Sequence, residues 1–114
     1  MDKETLNYYC NTMLEQLTLG EPRCLPNVLG TTRISFTEEQ YEDFKQPTVT
    51  FDFKMSRKYK FCKIIYDQGA DNYILQFLDK NRQLKKEFNP VYCDELYLTF
   101  TEETGLIPTF PRFC

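Results

Sequence analysis

The residues best suited to do chemistry in this chain are basic ones, and most of them lie in one segment. Residues 54–86 hold nine of the 14 Lys and Arg but only three of the 17 Asp and Glu. These nine are Lys54, Arg57, Lys58, Lys60, Lys63, Lys80, Arg82, Lys85 and Lys86. The segment therefore carries +6 and the remainder −9, in a chain of net charge −3. Such a cluster binds anions, either a phosphate backbone or an acidic protein surface.

Two interpretations of this basic segment stay open. Tyr59, Phe61 and Tyr66 lie among the basic residues, as in surfaces that bind single-stranded nucleic acid. Against nucleic acid stands the pI near 5.0, because nucleic-acid-binding domains are usually basic overall. Lysines at strand edges also protect sheets from aggregation, so the cluster is either a binding surface or a solvated face. As a binding surface, its candidate residues are Arg57, Lys58, Lys60, Lys80, Arg82 and Lys85.

Catalytic chemistry has few candidates in this sequence. The chain contains no His, which excludes Ser–His and Cys–His nucleophile pairs and His-ligated metals. The paired carboxylates Asp94-Glu95 and Glu102-Glu103 are adjacent, so a helix would direct them about 100° apart. The sequence therefore predicts a protein that is not an enzyme and has neither a metal nor another cofactor.

The cysteines predict reduced thiols. They show no C-x-x-C spacing, so a zinc ribbon or a thioredoxin-like motif is not expected. We expect the first four to be small buried hydrophobes and the last to be exposed. The five are Cys10, Cys24, Cys62, Cys93 and Cys114.

The elements that must position the basic residues are strands. Alternation of apolar and polar residues predicts an antiparallel meander of Thr48–Met55, Tyr59–Tyr66 and Asn72–Asp79. Residues 83–88 form either a fourth strand or a helix, and the strand is favoured. In a meander, the turns at 56–58 and 79–83 lie at the same end of the sheet, which would bring the basic residues together.

Helices are predicted on both sides of this meander. An apolar stripe predicts a helix over residues 3–18 with Asp2 as its N-cap. Residues 21–31 are expected to be irregular and residues 32–36 a short strand. Thr37–Gln40 matches a capping box, which predicts a helix to about Lys45 with an acidic face. Asn89-Pro90 predicts the start of a last helix over residues 90–104.

The acidic face of the predicted middle helix has two interpretations. Its carboxylates could imitate phosphates in a groove of another protein, or simply be solvated. They are Glu38, Glu39, Glu42 and Asp43. The proline-interrupted tail after Gly105 is apolar, so Phe110 and Phe113 are expected to pack on the protein's own core or on a partner.

These observations predict a single α+β domain over residues 1–114, with an antiparallel meander of three to four strands and the flanking helices on one face. The chain has no signal-peptide pattern and no membrane-length apolar run, so a cytoplasmic location is expected. It is expected to be a monomer, or a homodimer formed through the Thr48 strand or the Gln83 strand at a sheet edge.

In size, acidity and lack of a catalytic motif, the chain is similar to small phage and mobile-element proteins that inhibit a host nuclease, and to immunity proteins that block a toxin. That similarity implies a non-enzymatic inhibitor or regulator, acting in the host cytoplasm if viral. Its partner would be a larger protein, such as a nucleic-acid-processing enzyme. The alternatives are an accessory protein that binds nucleic acid through the basic turns, and an enzyme or small-molecule binder.

Overall fold

The protein has an α+β fold, described by a computed structural model for residues 1–54 and 56–109. Within these residues, a five-stranded antiparallel sheet is combined with three α-helices and a short 3₁₀ turn at Pro22–Cys24. The helices are α1 (Lys3–Leu17), α2 (Leu25–Leu29) and α3 (Leu96–Thr104). The strands are β1 (Ile34–Tyr41), β2 (Phe44–Asp52), β3 (Phe61–Asp67), β4 (Asn72–Leu78) and β5 (Leu84–Val91). They follow one another across the sheet in chain order, so the predicted meander is confirmed with five strands rather than three or four.

The additional strand replaces the helix predicted from the capping box. Residues 37–41 continue β1, which pairs with β2 from Ile34↔Phe51 to Tyr41↔Phe44. A two-residue turn follows, in which Glu42 takes a left-handed backbone conformation with φ of 54°. A strand forms here in spite of the capping-box residues. Eight ladder pairs and the inward-facing Phe36 stabilise the strand more than one turn of backbone hydrogen bonds would stabilise a helix. The acidic residues at 38–43 therefore lie on a hairpin and not on a helix face.

The helix predicted to start at Asn89-Pro90 is also wrong in its position. Both residues belong to β5, and the peptide bond between them is cis. Proline lacks a backbone donor, and β5 tolerates it because it is an edge strand. The register between β4 and β5 shifts near this point, so Tyr73 pairs with Val91. The last helix, α3, begins only at Leu96 and ends at Gly105, where φ is 73°.

The first helix is confirmed. The Asp2 carboxylate accepts a hydrogen bond of 2.7 Å from the Thr5 amide, which caps α1. The stripe predicted for the core buries Cys10, Met13, Leu14 and Leu17. Residues 21–31, expected to be irregular, instead contain the 3₁₀ turn and α2.

The core lies between the helices and one face of the sheet. Phe51, Phe53, Phe77 and Phe100 form a cluster of tilted rings with centroids 5.7–6.2 Å apart. Each of them is at most 1% exposed. α1 packs on β1, β2 and α3, so the helices cover the sheet from this side and leave its other face without a helix. We call this second side the open face.

The open face is curved. In a flat sheet, the edge strands β1 and β5 would lie roughly 19 Å apart, four strand spacings. The Asn89 amide of β5 nevertheless donates a 2.7 Å hydrogen bond to the Tyr41 hydroxyl of β1. The β1–β2 hairpin therefore bends over the open face towards β5. This explains why Thr48 and Ile74 are fully buried on a side that no helix covers.

Two expectations about exposed groups change. β2, which contains Thr48, is an interior strand, so only β5 of the two proposed strands lies at an edge. Cys10, Cys24 and Cys62 are buried as expected, whereas Cys93 is exposed.

Among the described residues, no helix combines the length and the apolar character needed to cross a membrane. Met55, Phe110, Phe113 and Cys114 lie outside the described residues, and so do the expectations about them.

Candidate functional site: a basic end of the sheet

The predicted basic residues meet at one end of the sheet, where β2 leads into β3 and β4 leads into β5. We call this the basic end. The first connection lies beside the start of the second, since the Lys60 amide donates at 2.9 Å to the carbonyl of Leu78, the last residue of β4. Arg57, Lys58, Lys60, Lys80 and Arg82 all lie in these connections and are exposed, and Lys85 follows at the start of β5.

Short polar side chains hold both connections in shape. In the first, the Ser56 hydroxyl accepts from the amides of Lys58 and Tyr59 at 3.2 and 3.3 Å. In the second, the Asp79 carboxylate accepts from the amides of Asn81 and Gln83 at 2.8 and 3.0 Å. The hydrogen bond from the Gln83 amide is the main reason why the pKa of Asp79 is lowered. Both turns are therefore fixed mainly by short polar side chains that accept from backbone amides, and the Lys60 ammonium adds a 3.2 Å hydrogen bond to the Ser56 carbonyl. Among the described residues, Arg57, Lys58 and Lys80 form no ion pair.

Few carboxylates oppose this positive charge. In the described part of the chain, the one ion pair at the basic end joins Lys85 to Asp79, at 3.6 Å. Asp52 lies nearby, but its oxygens accept from the Thr32 amide and hydroxyl and from the Arg33 amide, at 2.6–2.8 Å. Partial burial raises the pKa of Asp52, yet these hydrogen bonds outweigh it and hold the pKa below its usual value.

Arg82 is placed differently from its neighbours. Its backbone is left-handed, with φ of 61°, and its guanidinium lies 4.3 Å from the centre of the Phe61 ring. A cavity of about 270 Å³ opens beside it on the open face, and Arg33 also lines it. We call it the arginine cavity. A guanidinium group can form paired hydrogen bonds with a carboxylate or a phosphate, so this lining suits an anion.

The basic segment does not act as one surface. Lys63 lies in the middle of the open face and forms a 2.7 Å ion pair with Glu39. Lys86 faces the helix side, where its ammonium lies 5.3 Å from the Phe88 ring centre. Arg33 belongs to the basic end but lies outside the segment that the charge count singled out. No sequence signal marks it, because only the β1–β2 pairing brings it there.

The opposite end of the sheet carries a different kind of cavity. It has a volume of about 390 Å³ and is bounded by α1, the β3–β4 hairpin and the chain after β5. Five of its lining residues are tyrosines, Tyr8, Tyr9, Tyr66, Tyr73 and Tyr92. We call it the tyrosine cavity. Sequence analysis missed it because these residues are dispersed over 85 positions.

The residues that the structure describes offer no arrangement typical of a metal centre. No group of three or more Cys, Asp or Glu side chains in this part of the chain is close enough to hold a metal ion. The adjacent carboxylates have separate tasks: Glu95 accepts from the Tyr92 amide, and Glu103 accepts from the Tyr59 hydroxyl at 3.0 Å. Comparison with family models, with curated proteins and with solved structures finds no match to this chain.

Proposed function

We propose that this protein is a non-enzymatic inhibitor or regulator that binds a larger protein through its basic end. The observation that carries the proposal is the lack of internal partners for that charge. Among the described residues, Arg57, Lys58, Lys80 and Arg82 have no carboxylate within 4.0 Å. An acidic surface on a partner would supply the missing counter-charges and would steer the encounter.

The arginine cavity gives this surface a specific anchor. An Asp or Glu side chain of the partner would enter between Arg33 and Arg82, which line the cavity together with Phe61. Asp52 also lines it, but its carboxylate is already engaged by the amides of Thr32 and Arg33, just before β1. The surrounding lysines would form the weaker, solvent-exposed rim of the contact.

The positions of the aromatic residues favour a protein partner over nucleic acid. A nucleic-acid surface needs ring faces that bases can stack on. Tyr59 is only 7% exposed and stacks on Phe77 at 5.0 Å, while the Phe61 ring is covered by Arg82. Tyr66 lies at the opposite end of the sheet. The rings that the sequence places among basic residues therefore support the fold and not base stacking. A nucleic-acid-processing enzyme remains the first class of protein partner to test.

Site-specific photo-crosslinking tests this proposal. A photoreactive amino acid is placed at Arg57 or Lys80 of the basic end, or at the exposed Lys45 of the opposite end as a control. After irradiation in nuclease-treated extract of the source cells, we expect one protein adduct from the first two positions and none from Lys45. Equal labelling from all three positions would contradict the proposal.

Binding measurements with the purified partner then separate charge from fold. An exposed ion pair contributes about 0.2–1 kcal/mol and reversal adds repulsion, so Lys80→Glu should weaken binding about 3- to 10-fold. The matched change Lys45→Glu should alter the affinity less than about twofold.

A gel shift with DNA and RNA at low and high salt tests the alternative, that the basic end binds nucleic acid. A salt-sensitive shift that Lys80→Glu weakens would replace the protein partner with nucleic acid.

A further inference from the structure

The tyrosine cavity has the composition of a binding site rather than of unfilled core. Its volume of about 390 Å³ falls within the range of small-molecule sites, about 300–1,000 Å³. Tyr8 and Tyr92 at its mouth are 67% and 50% exposed, whereas Tyr73 at its base is only 6% exposed. The cavity is thus open to solvent on one side and aromatic on its walls.

The rings form a curved wall. The centroids of Tyr8 and Tyr9, of Tyr9 and Tyr66, and of Tyr66 and Tyr73 lie 5.7, 5.3 and 5.4 Å apart. Successive ring planes are tilted by 65°, 40° and 56°, so the four rings turn around a space instead of stacking flat. A wall of this kind can surround a group that is about as wide as it is long.

The two inner hydroxyls already have partners. The Tyr66 hydroxyl donates a 2.7 Å hydrogen bond to the Asp71 carboxylate, and the Tyr73 hydroxyl donates to the Gln16 side-chain oxygen. These hydrogen bonds fix the ring orientations. They also use the one donor of each phenol, so these two hydroxyls have no proton left to donate to a ligand.

The electrostatics of the cavity favour a cation. Asp71 supplies a carboxylate at its edge, and none of the nine described lining residues is Lys or Arg. Aromatic faces carry the negative part of the ring quadrupole, which attracts cations within about 6 Å. The hydrogen bond to Asp71, with burial, raises the pKa of Tyr66, which keeps the phenol neutral and able to donate.

We propose that the tyrosine cavity binds a methylated ammonium group, with Tyr9, Tyr66 and Tyr73 around it and Asp71 as its counter-charge. A primary ammonium is strongly hydrated and carries three donors, so it loses several hydrogen bonds to water when it moves against ring surface. A quaternary ammonium has no N–H group and loses little by leaving water for an aromatic wall. The group can belong to a free molecule such as choline or to a methylated lysine of another protein.

The probes that test this proposal differ in one property at a time. Choline is compared with 3,3-dimethylbutan-1-ol, which has the same shape and no charge, by NMR titration of the full chain. We expect choline to bind with a dissociation constant on the order of 1 mM or tighter, and the neutral analogue at least about tenfold more weakly. Equal binding of the two, or no binding of choline at about 50 mM, would overturn the proposal.

Variants locate the binding on the protein. Tyr8→Ala with Tyr92→Ala removes two exposed rings, and Asp71→Asn removes the charge; each should weaken choline about 3- to 30-fold. Tyr97→Ala on α3 lies outside the cavity and should leave the affinity unchanged, as should Lys80→Glu at the basic end. Thermal melts verify that each variant is folded. Loss of binding only in Tyr97→Ala would place the site elsewhere and overturn the assignment.

A pair of peptides distinguishes the two sources of the group. If a trimethyl-lysine peptide binds at least tenfold more tightly than both choline and the unmodified peptide, the ligand is a methylated protein. If choline binds as tightly as the modified peptide, the site serves a free molecule. Both results keep the methylated ammonium as the recognised group, whereas tighter binding of the unmodified peptide would overturn it.

Discussion

The basic end and the β3–β4 loop at the opposite end of the sheet carry opposite charge, and they differ in whether that charge already has a partner. At the basic end, Arg57, Lys58 and Lys80 have no ion-pair partner in the described structure. At the opposite end, Asp67 accepts from the amides of Gly69 and Ala70, and Asp71 accepts from Tyr66. The β3–β4 loop thus uses these two carboxylates to hold its backbone and the Tyr66 ring, while most of the charge at the basic end has no such task.

It follows from this difference that a cluster of charged residues does not by itself define a binding surface. Glu39 and Lys63 are charged and lie on the open face, but they neutralise each other at 2.7 Å. What separates the basic end from them is that Ser56 and Asp79 hold its turns mainly through backbone amides. Of its basic side chains, Lys60 and Lys85 add a contact to these turns, and the other described ones form no ion pair. A surface of this kind has turns of fixed shape and, at the same time, basic side chains without ion-pair partners.

The largest effect is expected at Asp52, whose carboxylate is held by the segment just before β1. Asp52→Ala removes three short hydrogen bonds to Thr32 and Arg33. Hydrogen bonds to charged groups contribute about 1.5–3 kcal/mol, so we expect a loss of that order in the free energy of unfolding. Urea denaturation at pH 7 measures it.

The pH dependence of this loss sharpens the assignment. Because the folded-state pKa of Asp52 is lowered, its stabilisation is present above the unfolded value of 3.8 and is lost as the pH falls through the folded value. The difference between wild type and Asp52→Ala should therefore shrink in acid. Asp43→Ala, in the exposed β1–β2 turn, should change stability by less than about 0.5 kcal/mol. Equal losses in the free energy of unfolding for the two variants would show that the hydrogen bonds of Asp52 add no stability beyond that of an exposed carboxylate.

A smaller effect on stability is expected at the tyrosine cavity, in alkaline solution. Burial is the main cause that raises the pKa of Tyr73 to about 12, and the hydrogen bond to Asp71 is the main cause that raises the pKa of Tyr66. Raised values mean that both phenols stay protonated in the folded protein while the unfolded chain ionises near pH 10. Stability from them is complete below pH 10 and is lost as the pH rises through the folded values.

Absorbance at 295 nm follows this titration. We expect part of the tyrosine signal to titrate above pH 11, and Tyr66→Phe to remove about one residue's share of that late signal. Tyr97→Phe, which removes one phenol outside the cavity, is the matched control. A single transition near pH 10 for all tyrosines would contradict the hydrogen bonding and burial of Tyr66 and Tyr73.

The sequence predicted what depends on local pattern and failed where distant contacts decide. Alternation identified the three central strands, and the meander rule placed both basic turns at one end. The helix at 37–45 was wrong because a four-residue cap signal was outweighed by pairing with β2. Arg33 and the tyrosine cavity could not be predicted, since each depends on contacts between segments that are far apart in the chain. The engagement of Asp52 is invisible in sequence for the same reason.

The smallest effect is expected where the β1–β2 hairpin closes over the open face. Tyr41→Phe removes the acceptor for the Asn89 amide and should cost about 0.5–1 kcal/mol, because the hydrogen bond is exposed. Asn89→Ala should cost a similar amount, and the double variant should cost less than the sum, since both single changes break one contact. Urea denaturation of the four proteins gives this coupling. If the two costs simply add, the hairpin is held over the open face by packing around Thr48 and Ile74 and not by its polar tip.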